Sequence, residues 1–294
     1  MPELPDVELY VEALRARVLG KAPTAIRIVS PFVLRSVDPP VTEFIGRPIV
    51  EIRRLGKRIV FQFEGDVYVV VHLMIAGRLR WRGPGGKVPG KIGLVYIEFV
   101  DGVLILTEAG TRRRASLHLV RGASLVAAMD RGGLEVMGST LSAFAERLRR
   151  ENRTVKRSLT DPRLFSGIGK AYSDEILHRA RISPMLLTSR MTHDQIVGLH
   201  RATQDVLGEW IGRLRAESKG EFPEKVTAFR EGMAVHGRFG LPCPVCDAPV
   251  QRIRYADNET NYCARCQNAD RILADRALSR LLKEDFPRTL DDEE

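Results

Sequence analysis

The chain has 294 residues, 44% of them hydrophobic, which is enough for two or three domains with real cores and excludes a disordered tail. A formal net charge of +9 and a pI near 9.6 point to a polyanionic partner, nucleic acid first, because clustered Lys and Arg displace counterions from phosphates. No run of eighteen apolar residues and no apolar leader are present, which disfavours membrane insertion and secretion, and a cytoplasmic protein is expected.

The chain opens Met1-Pro2-Glu3. Removal of Met1 would leave Pro2 with a free secondary amine, whose unperturbed pKa of roughly 7.7–8 keeps a useful fraction neutral and nucleophilic. Such an amine forms an iminium with a sugar aldehyde, and Glu3 beside it can move protons. A solvated terminus is the bland alternative, and the rest of the chain outweighs it.

After Pro5, Asp6 is expected to cap a helix with Val7, Val11, Leu14 and Val18 on one face. From Ile49 to Leu106 the period becomes two: Ile59, Phe61 and Phe63 alternate, then Val67, Val69 and Val71, with Glu64-Gly65-Asp66 as the turn. Asp101-Gly102 is expected to make another tight hairpin turn between Phe99 and Val103. An antiparallel sheet domain is assigned to residues 1–130.

Helical periodicity returns near Leu141. Thr192 to Gln195 reads as a capping box, followed by a long helix with Ile196, Leu199, Val206, Trp210 and Leu214 along one face. Before it, Gly167-Ile168-Gly169-Lys170 opens a helix on which Tyr172, Ile176 and Ala180 share a face; amides at such a helix start, with Lys170, suit a phosphate. Residues 217–225 read as a connector.

The four cysteines form two knuckles, Cys243-Pro-Val-Cys246 and Cys263-Ala-Arg-Cys266, with sixteen residues between them. This spacing matches a tetrahedral zinc site whose ligands all come from protein, hence structural, and disulfides are disfavoured in a reducing cytosol. An amphipathic helix is expected over Ala269 to Lys283, then an acidic tail from Asp291 to Glu294.

Together, Pro2-Glu3-Leu4-Pro5, Gly56-Lys57 after a basic strand, Gly167-Ile168-Gly169 and the paired knuckles make the chain resemble the formamidopyrimidine-DNA glycosylase and endonuclease VIII family over nearly its whole length. The resemblance implies a multidomain α+β fold. An N-terminal antiparallel β-sandwich with a leading helix (1–130) would precede a helix-two-turn-helix domain (131–228), a four-cysteine zinc-finger hairpin (229–268) and a C-terminal extension (269–294).

It further implies a DNA glycosylase with abasic-site lyase activity, acting as a monomer on double-stranded DNA that carries damaged bases or abasic sites. Pro2 would be the nucleophile, Glu3 the proton carrier, Lys57 a phosphate contact within a patch shared with Arg53, Arg54 and Arg58, and one structural zinc the metal, with no catalytic cofactor. Lys170 stands where the family has asparagine, Asn258 where an arginine tips the zinc hairpin, and Ile75 where a methionine fills the void of the flipped base. Arg112, Arg113 and Arg114 replace the segment carrying the intercalating arginine and phenylalanine, and loss of the hairpin arginine would either weaken binding or pass its contacts to Arg252, Arg254 or Arg265. The segment from Phe229 to Cys243 is short, as in the branch that prefers oxidised pyrimidines, while the N-terminal motif resembles the branch that excises 8-oxoguanine. A non-catalytic damaged-DNA-binding protein of the same fold explains charge and zinc, but not Pro2, Glu3 and Lys57 together.

Overall fold

The computed structural model describes every residue except 89–90, 111, 225, 228, 256–257, 275–280, 282–286 and 294. Two compact units emerge: Met1–Arg131 with Trp210–Thr227, and Gly132–Glu209 with Ala228–Glu294.

The first unit contains α1 (Leu4–Val18), β1 (Ala25–Ile28), β2 (Ile49–Leu55), β3 (Arg58–Phe63), β4 (Val67–His72), β5 (Gly77–Arg82), β6 (Gly93–Phe99), β7 (Gly102–Glu108), β8 (Ser116–Arg121) and α2 (Ala123–Ala128). Two antiparallel four-stranded sheets form, ordered β1-β6-β7-β5 and β2-β3-β4-β8. Phe61, Phe63, Val69 and Leu117 from one sheet share a buried cluster with Leu79, Ile97, Leu104 and Leu106 from the other, the inner layer of a sandwich. Val7, Val11, Leu14 and Val18 of α1 join it, as their spacing predicts.

Three local expectations are corrected. Helix α1 begins one turn earlier than expected: Glu3 is its N-cap and Asp6 the third helical residue of a capping box, accepting the Glu3 N–H at 2.9 Å. In the β6–β7 hairpin Phe99 pairs with Gly102, so Val100-Asp101 form the turn and Gly102 belongs to the strand. Glycine is required there because a Cβ would lie 2.3 Å from the Trp81 ring. Alternation in β3 and β4 does not separate a dry face from a wet one, since Val60, Tyr68 and Val70 are buried too, against Val120 of β8 and Val126 of α2.

The second unit contains α3 (Leu141–Arg149), α4 (Val155–Leu159), α5 (Lys170–Arg179), the N-terminal part of α6 (His193–Ser218), β9 (Val250–Tyr255), β10 (Asn258–Cys263) and α7 (Ala264–Asn268). The α6 capping box closes as read, with Gln195 N–H on Thr192 Oγ1 at 3.2 Å and Thr192 N–H on Gln195 Oε1 at 3.0 Å. Ile196, Leu199, Val206, Trp210 and Leu214 are all buried. Helix α5 departs from the amphipathic reading: every residue from Ala171 to His178 is buried, polar ones included, so it is a core helix.

The expected helix from Ala269 does not start there. Ala269 adopts a left-handed conformation that ends α7, and Arg271 pairs with Thr289. Residues 275–280 and 282–286 of that expectation lie outside the described residues. Ile272 N–H bonds Arg288 O at 2.8 Å and Leu290 N–H bonds Asp270 O at 3.0 Å, which seats Leu290 in the core of the zinc module beside Cys243, Val250 and Tyr262. Among the described residues no helix is long and apolar enough to cross a membrane.

Candidate active site and metal centre

Capping fixes the first residues. Pro2, Glu3 and Asp6 are buried, with Glu3 2% and Asp6 0% exposed, so the chain start is anchored in the sandwich rather than solvated. Burial pushes the terminal ammonium on Met1 below the usual α-amino range; Glu3 and Asp6 oppose this, while Arg78 and Lys57 add to it. The residues surrounding this amine therefore include two acids and two bases, from α1 and from separate strands or turns.

Lys57 reaches that cluster from a two-residue turn, since Leu55 pairs with Arg58 and Gly56 takes φ +61, which a side chain would strain. The patch expected around it is not bare. Arg54 Nε donates to Glu8 Oε1 at 2.6 Å, Arg58 Nη1 to Met129 O at 2.9 Å, and Arg53 pairs with Glu51 at 3.4 Å. Arg54 ties β2 to α1 and Arg58 ties β3 to the end of α2, while the Arg53 pair stays within β2.

Sequence reasoning missed Arg78. Its Nη1 donates to Ile75 O at 3.0 Å and Gly77 O at 2.7 Å, bracing the turn between β4 and β5 from beneath. Gly77 N–H closes the turn on Leu73 O at 2.9 Å, and a Cβ on Gly77 would sit 2.2 Å from that oxygen. Ile75, at the tip, is 59% exposed, an unusual position for a branched aliphatic side chain in so tight a turn. The signal available was the glycine followed by a basic residue after an apolar strand.

Arg112, Arg113 and Arg114 are exposed, and Glu108 pins their loop by accepting the Arg114 and Ala115 amides at 2.9 and 3.0 Å. In the second unit Lys170 is exposed at the start of α5, with Gly169 as N-cap and Gly167 at φ +80. Arg252 stacks on Phe239 at 4.0 Å, Arg254 faces Glu259 across the hairpin at 3.4 Å, and Arg265 binds Asp270 at 2.9 Å. Asn258 is exposed at the first position of β10.

The four cysteine Sγ atoms lie within 4.8 Å of one another. Zinc bonded tetrahedrally to sulfur at about 2.3 Å needs S···S edges of about 3.8 Å. Cys243–Cys266 at 3.9 Å and Cys246–Cys263 at 3.4 Å fit one ion. Burial raises the Cys263 thiol to about 11, so the sulfurs ionise together only around a cation. All four ligands come from protein, so the ion is structural.

The zinc module is tied to α5. Glu175 accepts the Ala234, Val235 and His236 amides at 2.7, 2.9 and 2.9 Å, and Asp174 Oδ2 meets His236 Nδ1 at 2.9 Å. Lys156 holds the other oxygen of Asp174.

Family models agree with this arrangement. Residues 1–117 match the formamidopyrimidine-DNA glycosylase N-terminal domain, 135–219 its H2TH domain, and 240–269 the zinc finger found in FPG and IleRS. The chain is similar to the formamidopyrimidine-DNA glycosylase of Desulforamulus reducens, 30% identical with 92% of this chain and 100% of that protein covered. That of Thermus thermophilus is 33% identical, with 91% and 98% covered. A Lactococcus lactis FPG variant in complex with a Fapy-dG containing DNA superposes with a TM-score of 0.81 at 26% identity, over 91% of this chain and 100% of that one. The same protein with an abasic site containing DNA gives 0.80 at 26% identity, over 90% and 99%. Architecture, zinc cluster and full-length similarity together show that the chain belongs to the formamidopyrimidine-DNA glycosylase family of DNA-repair enzymes.

Proposed function

We propose that this protein is a base-excision DNA glycosylase that also cleaves the strand, with Pro2 as nucleophile once Met1 has been removed. The supporting observation is the setting of the chain start: Pro2 is buried, and the Met1 amine next to it lies within the field of Glu3, Asp6, Arg78 and Lys57. Desolvation, with Arg78 and Lys57, favours the neutral, attacking form of an amine in this setting, while Glu3 and Asp6 oppose it.

The damaged nucleotide is flipped from the duplex so that its anomeric carbon becomes reachable. The Pro2 lone pair attacks that carbon and the glycosidic electron pair leaves with the base, which takes the proton shed by the Pro2 nitrogen; Glu3 in its acid form then protonates the sugar oxygen as the ring opens to an iminium. The iminium acidifies the neighbouring carbon. Loss of its proton expels the 3′ phosphate, and a second elimination expels the 5′ phosphate. Lys57 and Arg78 hold phosphates flanking the lesion and stabilise developing charge. Ile75 fills the gap left by the flipped base, Lys170 and the first turn of α5 hold a phosphate, and Arg112, Arg113, Arg114, Arg252, Arg254 and Asn258 line the duplex. The protein acts as a monomer in the cytosol.

Abasic sites, ring-opened purines and oxidised pyrimidines are the preferred substrates over 8-oxoguanine. The backbone at 234–237 is held by Glu175 and Asn261 rather than left to close over a bicyclic base. A panel of duplexes carrying each lesion tests this, and selective removal of 8-oxoguanine opposite cytosine overturns the preference.

The nucleophile is tested by borohydride trapping on abasic duplex, with the mature N-terminus read by mass spectrometry. Pro2→Gly abolishes trapping while duplex binding persists. Undiminished trapping moves the nucleophile elsewhere, and absence of trapping by the wild type with Pro2 free favours a binding protein without catalysis.

A further inference from the structure

We infer that His178 is a positioning residue of the zinc centre, its Nε2–H hydrogen-bonding the Cys243 thiolate and fastening the metal cluster to helix α5. The ring nitrogen lies 3.3 Å from Cys243 Sγ. Both partners are buried, His178 6% and Cys243 0% exposed, so water does not compete for either group. A zinc-bound thiolate offers only lone pairs, so the proton in this contact comes from the imidazole.

Two features make the contact more than incidental packing. Four thiolates around one Zn²⁺ carry −4 + 2 = −2, charge that a buried site stabilises only through donors aimed at sulfur. The Cys266 amide supplies one such donor to Cys263 at 3.4 Å, and His178 supplies one to Cys243 from outside the module's own loops. Second, His178 lies three residues after Glu175 on one face of α5, the same face that grips the 234–236 amides. Gln267 adds a further tie, donating from Nε2 to Ile182 O at 2.9 Å. Of these ties only His178 reaches a metal ligand.

The contact withdraws electron density from Cys243 sulfur, lowers its reactivity toward oxidants and chelators, and makes the last turn of α5 part of the metal site. Helix α5, which presents Lys170 at its other end, is thereby braced against the zinc.

The test uses full-length zinc-loaded protein and compares His178→Phe, which keeps a ring without a donor, with His178→Gln, whose amide can donate. Zinc release into excess EDTA, followed with a chromogenic reporter, should quicken roughly tenfold or more in His178→Phe and stay within about threefold of wild type in His178→Gln. In cobalt-substituted protein, the sulfur-to-metal charge-transfer band should move to lower energy in His178→Phe and return in His178→Gln. Wild-type release with an unmoved band in a folded His178→Phe protein, judged by circular dichroism, overturns the inference. Should that variant fail to fold, wild-type protein loaded with ¹¹³Cd and labelled at histidine nitrogen decides: a proton on Nε2 of His178 coupled to cadmium is required, and an Nε2 without a proton refutes the assignment.

Discussion

Lowering the pH from 7 to 5 should weaken the first unit through one histidine at the end of β4. Burial pushes His72 down to about 4, and the nearby cations Arg58 and Lys57, with His118, push the same way. His118, two residues along the paired β8 strand, is also lowered by burial, with Arg58 and Arg35 adding to it. Folding thus keeps the His72 ring neutral, while the unfolded chain protonates it near 6.5. Because the folded value is the lower one, the stability is fully present above pH 6.5 and is lost as pH falls towards the folded value. A separation of about 2.5 pH units at about 1.4 kcal/mol each bounds the effect at about 3.5 kcal/mol, of which about 2 kcal/mol disappears between pH 7 and pH 5. Both tryptophans, Trp81 and Trp210, lie in the first unit, so intrinsic fluorescence during urea unfolding reports that unit. His72→Gln should lose about 2 kcal/mol less than wild type across this interval. Parallel pH profiles for the two proteins would refute the argument.

Glu3→Gln should preserve α1, since the amide oxygen still accepts at the cap, yet slow excision of a damaged base far more than cleavage at a ready-made abasic site; equal losses on both substrates would contradict the role proposed for Glu3. Removing zinc with a chelator should abolish duplex binding by unpacking the core around Tyr262, whereas replacing it with another tetrahedral ion should leave strand cleavage within a few-fold, as gel assays with cadmium- and cobalt-loaded protein would reveal. Gly77→Ala, whose Cβ would meet Leu73 O at 2.2 Å, should cost about 1–3 kcal/mol in unfolding and displace Ile75, while Gly83→Ala, with nothing within 4 Å, serves as the near-neutral control.

The long-period patterns of this chain are legible because one interaction dominates each. The α6 box and its apolar face follow from Thr192, Gln195 and five spaced side chains, and the zinc cluster follows from cysteine spacing. Errors arise where two explanations share one pattern. Val67 to Val71 is an unbroken apolar run, VYVVV, and that continuity signals burial on both faces; reading only alternate residues hid the second layer beneath α2. Glu3 and Asp6 are both capping candidates, and the choice depends on where Pro5 can sit in the first turn. His178 was invisible for a different reason. Its partner Cys243 is 65 residues away, so only the folded backbone creates the contact.

The seat of Leu290 separates two meanings of the word boundary. The zinc-finger match stops at residue 269, yet the apolar cluster beneath the cysteines draws Ile272, Leu273 and Leu290 from beyond it. A protein cut at 269 would keep every ligand and every motif shared with its relatives and still expose the flank of Tyr262, whose hydroxyl accepts the Leu273 N–H at 2.7 Å.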